Sequence, residues 1–172
     1  MTIITIESSD VKMIVRKAKK EDIDAIWEIF REVIKTGDTY VFPPDTQQGE
    51  LKKYWTADYI DTYVVELEDR IVGTYILKPN QVGLGAHIAN GSYMVHPVAQ
   101  GKGIGKSMCE HSIEQAKLLG YVAMQFNIVV STNEPAIKLW KQYGFKIIGT
   151  IPEAFDHQKL GFVDAHIMYK KL

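Results

Sequence analysis

The sequence is poor in the features that mark special environments. Of its 172 residues only one is a cysteine, so no disulfide can close within the chain. That residue, Cys109, lies in a stretch of helical apolar spacing, where a buried thiol is expected rather than a nucleophile. No apolar run reaches the length of a membrane-spanning helix. Neither sign of charge dominates: the net charge is −1, which lends no support to a nucleic-acid or membrane surface. The opening Met-Thr-Ile-Ile-Thr-Ile-Glu has no basic segment and does not read as a secretory signal, so a cytoplasmic location is the default. There is no His-Glu-x-x-His pattern and no Cys/His cluster, so no metal is expected. The length suits a single domain, expected over residues 11–172 with 1–10 as a tail that carries an edge strand at Ile3–Ile6.

What the sequence does have is a punctuated stretch in its middle. The apolar run Ile88–Val95 ends at His96-Pro97 and is followed by Gly101, Gly103 and Gly105. A segment with helical periodicity then places Ile104, Met108, Ser112, Ala116 and Leu119 on one face. A strand, a glycine loop and a helix start together make an anion site. The first-turn N–H groups are free, the helix dipole favours negative charge, and the glycines keep side chains out of the way. The spacing fits neither common nucleotide motif. Gly105-Lys106-Ser107 ends like a Walker loop, but Gly101 stands one residue too close, and G-x-G-x-x-G fails as well.

Around this stretch the elements alternate. A helix is expected over Lys19–Lys35, a proline-containing loop over Asp38–Asp45 and a short helix from Thr46 to Trp55. A hairpin is expected from Thr62–Leu67 and Ile71–Leu77. Val122–Val130 reads as the strand after the glycine-loop helix, with Met124, Phe126, Ile128 and Val130 on one face. Asn133-Glu134-Pro135 opens another helix, because Asn caps well and proline suits a first turn. A strand at Phe145–Thr150, a polar loop from Glu153 to Gly161 and a strand at Val163–Tyr169 follow. The class is α/β (α+β) with a mixed sheet.

Gln100-x-x-Gly103-x-Gly105 after a strand, Asn133 followed by a short helix ending in Gly144-Phe145, and the order of elements from Met13 to Leu172 together resemble the GNAT superfamily of N-acetyltransferases. The resemblance implies a single-domain fold with a mostly antiparallel sheet splayed between Ile88–Val95 and Val122–Val130, the strands flanking the CoA-binding helix. It implies acetyl-CoA as cosubstrate. The pyrophosphate would lie on Gln100, Gly101, Lys102, Gly103, Ile104, Gly105 and Lys106. The backbone of Met94 and Val95 would pair with the pantetheine arm, and Asn133 would contact the cofactor. As surface residues, Lys102 and Lys106 need no ligand to explain them, and Asn133 is also a plain helix cap.

The sequence departs from that family on the acceptor side. The slot often filled by a Glu base is Asn90, which cannot take a proton at neutral pH. The slot often filled by a Tyr acid is Trp140, and Tyr143 reads as a packing residue. A thiolate with pKa ~8.5 leaves with little help, and water or an already neutral amine can replace the base. Asn90 and Asn127 are polar residues within the two splaying strands. As catalytic candidates they are expected to face the gap and position the amine or a water; a structural hydrogen bond is the other account of each. Asn90-Gly91, Phe126-Asn127, Asn133-Glu134 and Trp140 also resemble a subgroup acting on small cyclic imino acids. His87 reads as a loop residue and His96 as structural. Acceptor specificity is expected from Asp38–Phe42, the Tyr54/Trp55/Tyr59 cluster and Glu153–Gln158. The expected partner is a small-molecule amine, with no nucleic acid, no membrane and a homodimer left open. A protein lysine or N-terminus as acceptor, and a non-catalytic acetyl-CoA sensor, are the alternatives.

Overall fold

The structure, a computed structural model, describes residues 4–8 and 11–172. Eight strands form one sheet: β1 (Ile4–Ser8), β2 (Val11–Lys17), β3 (Asp61–Leu67), β4 (Arg70–Pro79), β5 (Ile88–Val95), β6 (Ala123–Val130), β7 (Lys146–His157) and β8 (Gly161–Lys171). Their spatial order is β1-β2-β3-β4-β5-β6-β8-β7, and only β5 and β6 pair in parallel. The helices are α1 (Ile23–Ile34), α2 (Leu51–Tyr54), α3 (Ile104–Leu118) and α4 (Glu134–Gln142).

Alternation along the strands gives each face of the sheet its own apolar layer. On one face Ile26, Ile29, Phe30 and Ile34 of α1 pack on Val64, Ile76 and Met94, with Leu51 and Trp55 closing the edge. On the other, Ile104, Met108 and Ala116 of α3 and Trp140 of α4 cover Tyr75, Met124, Phe126 and Met168. Each such fully buried side chain contributes about 1.5–3 kcal/mol. Gly73 in β4 sets how close α3 comes, since a Cβ there would lie 2.8 Å from Ile104 Cγ2.

Local chemistry explains the element ends. Asp22 starts α1 by accepting the Lys19 N–H at 2.7 Å and both terminal nitrogens of Arg16 at 2.7 and 3.0 Å. Burial pushes its carboxyl upward, but Arg16 and the Lys19 N–H outweigh burial and hold it below the ordinary carboxylate range. The β3–β4 turn contains only Glu68 and Asp69, with φ of 50° and 62°, the left-handed pair that suits the twist of a tight hairpin. Gly120, at φ 85°, ends α3 as expected.

Four expectations are corrected. Residues 4–8 of the expected tail form β1, paired antiparallel with β2; Ile3 of the anticipated edge strand lies outside the described residues. The helix expected from Thr46 is a 3-10 turn at Gln48–Glu50 followed by the single turn of α2. β7 does not end at Thr150 but runs to His157, turning much of the expected Glu153–Gly161 loop into strand. Finally, the alternation expected along β6 breaks at a bulge, where Phe126 opposes Met168 but Val129 opposes His166. Val129 is therefore buried and Ile128 exposed, the reverse of strict alternation.

Candidate functional site

The sheet forks between β5 and β6. They pair at only three positions, Ile88 with Ala123, Ala89 with Met124 and Asn90 with Gln125, and then diverge. A cleft of about 510 Å³ opens between them, lined by Gly91, Tyr93 and Val95 of β5, Ile128 and Val130 of β6, the loop from Gln100 to Gly105, Asn133 and Trp140.

The backbone of β5 is partly unpaired along this cleft. The His96 N–H donates to the Val72 carbonyl at 2.8 Å, so Val95 and Gly73 form a pair whose own N–H and C=O groups turn away from each other. Val95 thus presents both groups to the fork. Met94 does not: alternation turns its backbone to β4 opposite Thr74, and its side chain is buried in the α1 layer. Both residues line the cleft, and of the two it is Val95 whose backbone is unpaired. Tyr93 faces the fork as well, but its N–H and C=O are both bound to the hydroxyl of Tyr40. Tyr40 was legible only as an aromatic in the acceptor loop.

At the other end of the cleft, Gly101 and Gly103 have φ of 79° and 77°, and a Cβ at either would meet no protein atom within 4 Å. The first bond of α3 is from the Ser107 N–H to the Gly103 carbonyl at 3.1 Å. Among the described residues, the N–H groups from Gly101 to Lys106 have no acceptor in the protein. A row of free donors at an uncapped N-terminus of a fifteen-residue helix fits a pyrophosphate. Gln100 lines the cleft, while Lys102 and Lys106 stand exposed outside it, the latter 4.0 Å from Glu110. Asn133 caps α4 by accepting the Ala136 N–H at 3.3 Å; its side-chain NH₂ makes no hydrogen bond among the described residues.

Asn90 and Asn127 do not line the cleft. Asn90 donates to the Gln125 carbonyl at 3.0 Å, latching the last pair before the fork. Asn127 accepts from Gln125 at 2.9 Å and donates to Asn80 at 2.8 Å. Their neighbours Gly91, Phe126 and Ile128 form the wall, so both amides sit at its rim on the α1 face of the sheet. The expectation that both face the gap is corrected: each amide is held by a structural hydrogen bond. Trp140 packs on Tyr93 and Phe126 with ring centres 4.7 and 4.8 Å away. Tyr143 donates to Glu110 at 2.6 Å, and burial together with that carboxylate raises its phenol well above the usual value. Burial pushes the Cys109 thiol up to about 12, consistent with an inert core residue. His87 lies exposed in the β4–β5 loop, and His96 accepts from the Val98 N–H at 3.3 Å. The cleft lining contains no Asp, Glu, His, Lys or Arg.

A fork in a sheet, an unpaired strand edge and a phosphate-sized N-terminal cradle define a site for an extended ligand with a pyrophosphate, the shape of a coenzyme A thioester. Residues 21–145 match the acetyltransferase (GNAT) family model. A GCN5-related N-acetyltransferase from Kribbella flavida is 38% identical and superimposes with a TM-score of 0.88 over 93% of this chain and 98% of that one. The chain belongs to the GNAT acetyltransferase family. The N-acetyltransferase aca1 of Schizosaccharomyces pombe is 33% identical over 114 residues, 64% of this chain and 54% of aca1, so the chain spans about half the length of that relative. The acetyltransferase YncA of Salmonella typhimurium, solved with acetyl-CoA, shares the fold at 24% identity and a TM-score of 0.83, covering 93% of this chain and 94% of its own. No helix among the described residues is long and apolar enough to cross a membrane.

Proposed function

We propose that the chain is an acetyl-CoA-dependent N-acetyltransferase whose acceptor is the amine of a small molecule. The observation that supports it is the cleft itself, with free N–H donors at Gly101–Lys106, an unpaired Val95 backbone and a wall that includes Phe126 and Trp140. Bound acetyl-CoA supplies an activated acetyl group: the amine nitrogen forms a bond to the acetyl carbon as the carbon–sulfur bond breaks. The N–H groups of residues 101–106 hold the pyrophosphate, and the Asn133 amide steadies the same ligand. The Val95 backbone pairs with the pantetheine amides in place of a sheet neighbour.

With no carboxylate, imidazole or amine in the wall, and its two phenols held protonated by burial, proton handling falls to solvent. The acceptor enters as the neutral amine, its surplus proton passes to water, and the CoA thiolate leaves unaided. Asn90 and Asn127 serve the site only indirectly, by tying the base of the fork to Gln125 and Asn80. Substituting either by Ala is expected to lower folding stability by about 1 kcal/mol and to leave turnover within roughly twofold, since each amide holds a protein partner and not the acceptor.

The test is release of free thiol from acetyl-CoA against small amines, imino acids and peptides. Acetylation of small amines is the expected result. Release with peptides alone would move the acceptor to a protein. Binding of acetyl-CoA without release for any acceptor would make the chain a sensor.

A further inference from the structure

A second cavity of about 560 Å³ lies beside the cleft, between the loop after α1 and the end of β7. Tyr40 lines both spaces, so the two adjoin at one phenol ring. The fold builds this cavity deliberately. The Gln158 N–H donates to the Gly37 carbonyl at 3.1 Å, and a Cβ on Gly37 would lie 2.2 Å from Gln158 Cγ. The tip of the β7–β8 hairpin therefore seats on the end of α1, which only a glycine permits. Phe42 and the Pro43-Pro44 pair form the apolar wall opposite β7.

Ala154, Phe155 and Asp156 of β7 and Gln158 just after it line the cavity on this side; Phe155 is buried, as is His157, and Asp156 is exposed. Asp156 is thus the one charged group of the wall. It has no ion-pair partner among the described residues. Among the described residues, neither the cleft nor this cavity is lined by a Lys, Arg or His that could receive a carboxylate.

Resting on the acetyltransferase reading, we propose that this cavity holds the body of the acceptor, and that Asp156 selects acceptors carrying a second cationic group on an aliphatic or aromatic frame. A diamine fits both spaces. One nitrogen, unprotonated, lies at the fork and takes the acetyl group from the sulfur, losing its proton to water. The other, protonated, stays at Asp156. An amino or imino acid would bring a carboxylate toward Asp156 with no cation to offset it.

The test uses the full chain, acetyl-CoA and three amines of matched length: pentylamine, 1,5-diaminopentane and 5-aminopentanoate. Proline and a short peptide serve as further arms. The diamine is expected to exceed pentylamine in kcat/KM by about tenfold, as one charge pair allows, with 5-aminopentanoate below both. Asp156→Asn is expected to remove the diamine's advantage and leave the pentylamine rate and the acetyl-CoA KM unchanged. Asp156→Lys is expected to favour 5-aminopentanoate instead. Equal rates for diamine and monoamine, a diamine preference that survives Asp156→Asn, or a preference for proline would overturn the assignment while leaving the acetyltransferase reading intact. Release with none of the small amines would overturn both.

Discussion

The hydroxyl of Tyr40 sits between the two backbone groups of Tyr93, accepting the N–H at 2.8 Å and donating to the carbonyl at 2.5 Å. It thereby occupies the pairing position that β6 vacates when the sheet forks. Burial raises the Tyr40 phenol above its ordinary value, so it remains protonated and able to donate. Tyr40→Phe keeps the ring and leaves both backbone groups unpaired, at a cost of about 1–3 kcal/mol. A fall of several degrees in Tm is expected, together with faster amide exchange at Tyr93. Unchanged exchange at that amide would show that the hydroxyl does not hold the strand.

The glycine cradle can be separated from the rest of the ligand. Gly103→Ala puts a methyl group where the protein has open space, in a left-handed conformation that costs an L-residue roughly 1–2 kcal/mol. Folding should survive, but the methyl intrudes on the phosphate position. The KM for acetyl-CoA is expected to rise by about tenfold or more, as loss of one charge-assisted bond allows. The KM for acetyl-pantetheine, which lacks the pyrophosphate, should not change. Steady-state kinetics with the two donors checks this.

Because no carboxylate, imidazole or ammonium group lines the cleft, and burial keeps the Tyr40 and Tyr93 phenols protonated, the pH profile should belong to the acceptor. The rate constant kcat/KM is expected to climb with pH until the amine is neutral, with the midpoint following the amine's own pKa across a series. A midpoint that stays fixed while the amine pKa varies would reveal an enzyme base.

Asp22 ties β2 to the start of α1, and its contribution has a definite sign. Its folded-state carboxyl is held below the unfolded value by Arg16 and the Lys19 N–H, which outweigh burial. The stabilisation is complete above the unfolded carboxylate pKa of about 3.9, and disappears as pH falls through the lower folded value. Asp22→Asn is expected to cost about 2–3 kcal/mol near neutrality and to flatten the acid limb of a stability-versus-pH curve. Denaturant melts between neutral and acid pH read both effects.

Local signals made much of this molecule readable in advance. The glycine loop, the Asn133 cap and the Gly120 stop act through their own neighbours, so sequence alone placed α3 and α4 almost to the residue. The fold class and the fork between β5 and β6 followed from these motifs and the resemblance they carry. What could not be read depends on distant partners. Tyr40 meets Tyr93 across 53 positions. The bulge at Asn127–Ile128 is set by how β6 meets β8, and it rearranges a face that looked regular. The far half of β7 is wet on most sides and holds Pro152 and a left-handed Glu153. It reads as loop, yet β8 holds it in place, with the Glu153 N–H bound by the Asp164 carboxylate at 3.0 Å.

The fork also bears on how long the molecule lasts. Across the sheet, the three parallel pairs at the base of the fork are the only ladder joining β1–β5 to β6–β8. A ligand lying along Val95 acts as a borrowed strand, bridging two jaws that the polypeptide leaves apart. A ligand that binds the folded chain and not the unfolded one stabilises the fold with the logarithm of its concentration, by about 2.7 kcal/mol at a hundredfold excess over its Kd. Resistance to proteolysis is therefore expected to rise as acetyl-CoA is added.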